Sequence, residues 1–303
     1  MIPLMIVALG GLFSEKSGII NIALEGKMVL GAFAGILTIS LLQDSISAVP
    51  LLALALGIAT VMGIAVSLLH AYASINLKAN QVISGIAINM FAPAFAIYVS
   101  RLAVGTQNVG FRNQFRIESV PLLGNIPLIG PMFFQNTYFT TFLGFVILGI
   151  STFVLYKTKF GLRLRACGEH PGAADSVGIN VARMRYAGVI ISGALAGLGG
   201  LVFIIPVSVV FSGTVSGYGF LALAVLIFGG WNPIKIVFAA FFFGLMQTIA
   251  ASYTAIPFLN ALQIPAHFYR MLPYVLTLVV LAFTSKKTIA PKALGEVYDK
   301  GKR

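Results

Sequence analysis

The chain has 303 residues, of which 58% are hydrophobic and only 9% are charged, whereas an ordinary soluble domain carries about 25% charged residues. A soluble fold cannot hide that much apolar surface in its core, so the solvent of this chain is lipid. This composition excludes a soluble enzyme, a nucleic-acid-binding protein and a disordered chain. The apolar runs are continuous, which also excludes an outer-membrane barrel of alternating strands.

The apolar runs predict an all-α, polytopic bundle that forms one transmembrane domain over 1–303. A helix that crosses the hydrocarbon layer needs about 20 apolar residues. Long spans are predicted at about 19–42, 50–73, 79–100, 137–156, 186–210, 236–257 and 271–285, with shorter apolar segments at about 1–13 and 219–230.

The formal net charge of +12 reflects basic residues near the ends of these spans. The loop 157–185 and the tail 286–303 hold the two densest basic clusters, so both are predicted to be cytoplasmic. Parity then requires about nine crossings, with 219–230 counted as one. It puts Lys78 and Lys235 inside, and Asp44, segment 101–136 and Met1 outside. A short first helix with an exposed amino end leads us to expect a further span before it.

Segment 101–136 is the longest predicted extracytoplasmic stretch, either a solvated connector or a docking surface for an external partner. Sequence motifs for catalysis are absent. No phosphate-binding P-loop occurs, and the histidines His70, His170 and His267 are too far apart in sequence to suggest a metal site. We therefore expect that the chain catalyses nothing itself and holds no cofactor.

Asn21 and Glu25 are the first polar pair within an apolar span. Their i,i+4 spacing would put them on one helix face, and Glu25 would lie about 9 Å along a helix that begins at Ile19. An ionisable group there must face protein or water. One interpretation is a packing hydrogen bond between the two, with Lys27 extending to the membrane surface. The other is the polar lining of a pathway.

Gln81, Gly85 and Asn89 form a second polar stripe, with Ser84 beside it. Interhelical hydrogen bonding explains such a stripe, whereas uncharged amides along a pathway would suit a neutral polar solute such as a nucleoside. Gly193 and Gly197 have small-xxx-small spacing, which predicts close helix packing. The turn 212–219 is typical of a broken or re-entrant helix.

The cytoplasmic loop contains a short run of small residues between two basic arms. Pro171 can open a helix and Gly178 can close one, and the intervening turn is too short to be stable alone. A solvated loop explains the basic arms but not this small-residue helix, which suits a docking element. The residues assigned to it are Gly168, Glu169, Pro171, Ala173, Ala174, Gly178 and Ile179.

Several stretches resemble the permease subunits of ABC importers in the simple-sugar, branched-chain amino-acid and nucleoside group. They are Gly168–Ile179 with the following Ile190–Gly200, Leu9–Gly35, and Gly217–Gly230. Leu9–Gly35 looks like the nucleoside branch in particular. The family normally has a further helix before this stretch, in keeping with the expectation from parity.

The resemblance implies a bacterial cytoplasmic-membrane permease with two related halves and a cytoplasmic carboxyl end. Its partners would be a second similar permease, a cytoplasmic ATPase that holds ATP and Mg²⁺, and an extracytoplasmic binding lipoprotein. Gly168–Ile179 would be the coupling helix, and Asn21, Glu25, Gln81, Ser84 and Asn89 the candidate pathway residues. A permease for a sugar such as ribose or for a branched-chain amino acid, and an ion-coupled secondary transporter, remain alternatives.

Overall fold

Long apolar helices dominate the computed structural model, which describes residues 1–120, 135–255 and 290–299 and a few single positions between them. Within these ranges six helices are long and apolar enough to cross a membrane. These six are α2 (Leu24–Leu42), α3 (Ala48–Ala71), α4 (Gln81–Val104), α5 (Phe139–Lys157), α8 (Val181–Val207) and α10 (Pro233–Ser252). Two shorter apolar helices are α1 (Ile2–Lys16) and α9 (Tyr218–Phe228).

The predicted spans agree with these helices apart from their ends. The span predicted at 19–42 begins only at Leu24, because residues 17–23 leave the helical path after Gly18, which has a φ of +96°. Helix α8 begins at Val181 rather than 186, because the Asn180 side chain caps it by accepting a hydrogen bond from Arg183 N at 2.9 Å. Most of the span predicted at 271–285 lies outside the described residues, whereas the tail 286–303 is described over 290–299.

The described chain is mostly helical, as predicted for an all-α bundle, and four short strands lie between the helices of the described residues. Strand β1 (Val109–Gly110) pairs antiparallel with β4 (Val210–Phe211), and β2 (Arg116–Ser119) pairs with β3 (Gln135–Tyr138). Strands β1 and β2 and the start of β3 lie within 101–136, the segment predicted as a connector or docking surface, whereas β4 follows α8. Backbone N–H and C=O groups outside helices still need partners, and strand pairing supplies them.

Helix α8 lies at the centre of the fold and packs against α1, α2 and α3. Its glycines allow this, as predicted. A Cβ on Gly197 would collide with the carbonyl oxygen of Ala59 on α3, and one on Gly193 with that of Gly63. On the other side, a Cβ on Gly31 of α2 would collide with the backbone of Gly197. Backbone thus meets backbone, the usual device of membrane helices.

The loop 157–185 is largely helical. Helix α6 (Lys159–Glu169) follows α5 at Thr158, whose side chain caps Gly161 N at 3.1 Å, and α7 (Pro171–Ser176) comes next. The prediction of a short helix opened by Pro171 and closed by Gly178 is confirmed, since α7 begins at Pro171 and Gly178 has a φ of +83°. Residues 290–299 pack against this loop.

Candidate functional site

The non-helical link between α1 and α2, residues 17–23, is the centre of a buried polar cluster. The backbone of this link cannot make helical hydrogen bonds, and in a membrane such backbone is tolerated only when protein or water satisfies it. Part of the demand is met locally: the Ser14 hydroxyl donates to Ile19 O at 2.9 Å, and Ile19 N donates to Ser14 O at 3.2 Å. The rest is met from α3 and α4.

The polar stripe of α4 binds this link directly. Gln81 Oε1 accepts a hydrogen bond from Ile20 N at 2.8 Å, and Asn89 Nδ2 donates to Ile22 O at 2.9 Å. Asn89 Oδ1 also accepts from Gly26 N at 2.8 Å in the first turn of α2. The stripe therefore spans about 12 Å of α4, given 1.5 Å of rise per residue.

Ser84 reaches the link through a histidine that the sequence analysis did not assign. His70 Nε2 lies 3.1 Å from Ile20 O and Nδ1 lies 3.0 Å from Ser84 Oγ, and the ring is fully buried. Because a carbonyl can only accept, Nε2 carries the proton, and in a neutral imidazole Nδ1 then accepts from Ser84. The location of His70 near the end of an otherwise apolar helix was the only signal in the sequence.

Asn21 belongs to the link rather than to a helix, so the predicted shared helix face with Glu25 is wrong. Asn21 Nδ2 donates to Ser192 Oγ of α8 at 2.6 Å, and Lys27 Nζ donates to Asn21 Oδ1 at 2.7 Å. Lys27 is fully buried instead of extending to the surface. The predicted packing bond between Asn21 and Glu25 is replaced by bonds from each residue to other elements.

Glu25 holds the amino-terminal end of α9. Its carboxylate oxygens accept hydrogen bonds from Gly217 N at 2.9 Å and Gly219 N at 2.6 Å. The first N–H groups of a helix have no partner within the helix, and a carboxylate there is favourable for the helix dipole. The preceding turn uses positive φ at Ser216 and Gly217, in line with the predicted break at 212–219.

The five predicted pathway residues therefore converge on one cluster around residues 17–27, although they come from two separate stretches of sequence. Their partners were missed: the link backbone, His70, Ser192 and the start of α9. We call this set the polar cluster. A separate cavity of about 570 Å³ lies between α3, α5 and residues 114–117, and its lining, mostly apolar, contains none of the five.

The residues predicted for docking divide by exposure. Ala174 is only 3% exposed and packs with Cys167 and Val181, whereas Val177 is 75% exposed. Exposed or partly exposed residues of this short segment are Glu169, Pro171, Gly172, Ala173, Ser176, Gly178 and Ile179, while Gly168 is buried. A partner could contact Ala173 directly but not Ala174.

Cys167 is buried on the inner side of this helical loop. Burial raises the pKa of its thiol, and the nearby Arg185 opposes that rise. Within the ranges described, no three His, Cys, Asp or Glu side chains gather as metal ligands would.

Apolar spanning helices around a buried polar cluster, with a helical loop at one end, define a polytopic helical membrane protein. Comparison with protein families gives a match over residues 1–281 to the branched-chain amino acid transport system / permease component family. The chain belongs to this family and is a multi-pass membrane protein.

Among curated proteins, the guanosine ABC transporter permease protein NupQ of Bacillus subtilis is 44% identical over 99% of this chain and 94% of its own length. The nucleoside ABC transporter permease protein NupC of Lactococcus lactis is 42% identical with the same coverage. The putative glucose ABC transporter permease protein TsgC13 of Haloferax volcanii is 28% identical over 98% of this chain and 94% of its length. Comparison with solved structures gave no significant match.

Proposed function

We propose that this chain is a permease subunit of an ATP-driven importer and moves nucleosides across the bacterial cytoplasmic membrane. The observation that carries the proposal is its identity of 44% and 42%, over nearly the whole chain, to permeases named for guanosine and nucleosides. The relative named for glucose is 28% identical, so a sugar is the weaker candidate. A branched-chain amino acid is supported by the family name alone.

The working transporter needs partners, since this chain has no nucleotide-binding motif. We propose a second permease subunit, a cytoplasmic ATPase that carries ATP and Mg²⁺, and an extracytoplasmic binding lipoprotein. The exposed side of α7 is the surface proposed to meet the ATPase. An ion-coupled mechanism would use an intramembrane relay of ionisable groups, and Glu25, its best candidate, is bonded to backbone N–H groups of α9.

The proposed topology has about nine crossings and two related halves, with 157–185 and the tail inside and 101–136 outside. Two ion pairs support these sides. Asp44 and Arg112, both assigned outside, are joined at 2.8 Å, and Lys78 pairs at 2.7 Å with Asp299 of the tail, both assigned inside. Gln81 follows Lys78 closely, so the polar cluster is proposed to line the cytoplasmic half of the pathway.

The proposal is tested by uptake in cells that express the whole transporter or lack only this chain. The panel contains guanosine, uridine, ribose, glucose and leucine, and each is measured with ATP depleted and with an ionophore. We expect loss of this chain to abolish nucleoside uptake alone, and uptake to depend on ATP. Loss of ribose or leucine uptake with normal nucleoside uptake would contradict the substrate. Uptake that collapses with the ionophore while ATP is preserved would contradict the energy source.

A further inference from the structure

The carboxyl-terminal segment 290–299 joins two parts of the protein that the sequence analysis treated separately. Ala293 N donates to Gly168 O at 2.9 Å, and Gly295 N donates to Gly18 O at 3.0 Å. Gly168 lies in the last turn of α6, just before α7, whereas Gly18 is the second residue of the link that carries the polar cluster. Two amides only two residues apart thus bridge the link and the loop 157–185, here named the docking loop.

The three backbones meet too closely for side chains. A Cβ on Gly168 would collide with the carbonyl oxygen of Lys16, and a Cβ on Gly18 would lie 3.3 Å from Ala293 O. Ala293 itself is 3% exposed. A Cβ on Gly295, whose φ is +82°, would lie 2.7 Å from Ile20 Cδ1. The segment is therefore packed into the protein, although its sequence is that of a charged tail.

Arg185 gives the segment a polar anchor. This residue of α8 is 3% exposed, and its Nη1 donates to Glu296 O at 2.9 Å. Its Nε and Nη2 have no hydrogen-bond partner among the described residues. Buried charged groups normally require partners. The Glu296 carbonyl of the tail supplies the one hydrogen bond described for this guanidinium, so the segment helps to stabilise it.

The end of the segment reaches the other side of the cluster. Tyr298 packs with Cys167 and Ala174 beside α7, and Asp299 pairs with Lys78. Lys78 lies three residues before Gln81, which binds Ile20 in the link. One ten-residue segment therefore contacts the docking loop, the link, α8 and Lys78, which lies just before the polar stripe.

We propose that residues 290–299, here named the strap, are a positioning element that transmits movement of α7 to the link and its polar cluster. This inference rests on the proposed function. A docking helix moved by a partner must pull on something in the membrane, and bonds from the strap to Gly168 and Gly18 give a short route. Coupling of this kind is a free energy shared between two sites, so it is lost when the connection is cut even if both sites survive.

The test uses Gly295→Val in the complete transporter. Its side chain would collide with Ile20 and strain the positive φ, which separates the strap from the link. Lys292→Ala is the matched control, because Lys292 is exposed and the one hydrogen bond it makes with the described residues comes from its backbone N–H, at 3.4 Å from Glu169 Oε2. The solute is whichever one the wild-type transporter imports. A wrong substrate proposal is then detected with the wild-type transporter, whereas the strap proposal is tested only by comparing the variant with the wild type.

We expect Gly295→Val to keep ATPase co-purification and basal hydrolysis but to reduce uptake and solute-stimulated hydrolysis by roughly 5- to 150-fold, the usual range of a coupling free energy. Lys292→Ala should match the wild type. Uptake by Gly295→Val equal to that of Lys292→Ala would overturn the proposal.

If Gly295→Val does not assemble, hydrogen exchange in the wild-type transporter decides instead. The amides of Ala293 and Gly295 should be protected in the resting state and lose protection during turnover. Rapid exchange at both amides in the resting state, or unchanged protection during turnover, would show that the strap transmits no movement.

Discussion

The close packing of α8 leads to a quantitative prediction for Gly197→Ala. The added Cβ would lie 3.0 Å from Gly63 Cα and nearer still to the Ala59 carbonyl oxygen, whereas ordinary contact is 3.4–4 Å. All of these neighbours are backbone atoms, so no rotamer change can relieve the overlap and α3 must move away from α8. Overpacking of this kind costs about 1–3 kcal/mol.

Gly57→Ala is the matched control on α3. It is also a helix-interior glycine, but a Cβ there would meet nothing within 4 Å. Alanine is favoured over glycine inside a helix by about 0.8–1.0 kcal/mol, so this change should stabilise slightly. Both substitutions share this gain in helix propensity, so the overpacking cost of about 1–3 kcal/mol at Gly197 is what separates them. The net destabilisation by Gly197→Ala is then roughly 0–2 kcal/mol.

Thermal unfolding of the purified protein in detergent measures both variants. A difference of several degrees is expected, with Gly197→Ala below the wild type and Gly57→Ala at or above it, since 1 kcal/mol shifts Tm by about 2–4 °C for chains of 150–250 residues. Equal midpoints for the two variants would refute the reasoning that backbone contact sets the helix spacing.

Three further predictions concern the polar cluster and the docking loop. Ala173→Trp should leave Tm unchanged but reduce ATPase co-purification. Ala174→Trp, at a 3% exposed position, should instead lower stability by about 1–3 kcal/mol. The reverse pattern in the two assays would contradict the assigned faces of α7. Glu25→Ala leaves the N–H groups of Gly217 and Gly219 without their acceptor, which costs about 1–3 kcal/mol for each buried group. Stability should therefore decrease in the order wild type, Glu25→Gln, Glu25→Ala, and transport should fall further than assembly. An alanine variant with normal uptake and normal Tm would contradict this. Cys167 should react slowly with a maleimide in the native protein, because burial raises the pKa of its thiol and the thiolate is the reactive form. Its labelling rate should still rise with pH at values where the rate of an exposed thiol has already levelled off. Fast, complete labelling of the native protein near neutral pH would disprove the burial.

The spanning helices could be predicted because their cause is local. About 20 apolar residues in a row form a helix in lipid whatever they pack against, so most predicted spans match within a few residues. Helix α7 was also predictable, since Pro171 and Gly178 act on the backbone at their own positions. The short strands were not, because Val109 and Phe211 pair across about 100 residues of sequence.

The candidate site was predictable in its residue types but not in its partners. Asn21 and Glu25 were selected because polar groups are costly in an apolar span, and both prove to be bonded. Their relation was inferred from helical spacing, and that inference failed when the helix began at Leu24. Tertiary contacts explain why α2 does not begin before Leu24. Amides of α4 and His70 bind the link backbone and so stabilise a break that Gly18 permits. No local pattern near residue 20 contains that information.

The contacts also change how the packing and pathway interpretations relate to each other. Both oxygens of Glu25 and both ends of the Asn21 and Asn89 side chains are already bonded to protein. A solute would have to use their remaining lone pairs or N–H groups, or displace a protein group. Gln81 differs, because its Nε2 is buried and has no partner among the described residues while its Oε1 holds Ile20 N. An unsatisfied buried donor is unfavourable, and it is relieved by any acceptor that enters the cluster. Within the polar cluster, we therefore expect Gln81 to be where a solute would gain a hydrogen bond without first breaking one, and the other amides to act chiefly by holding the link in place.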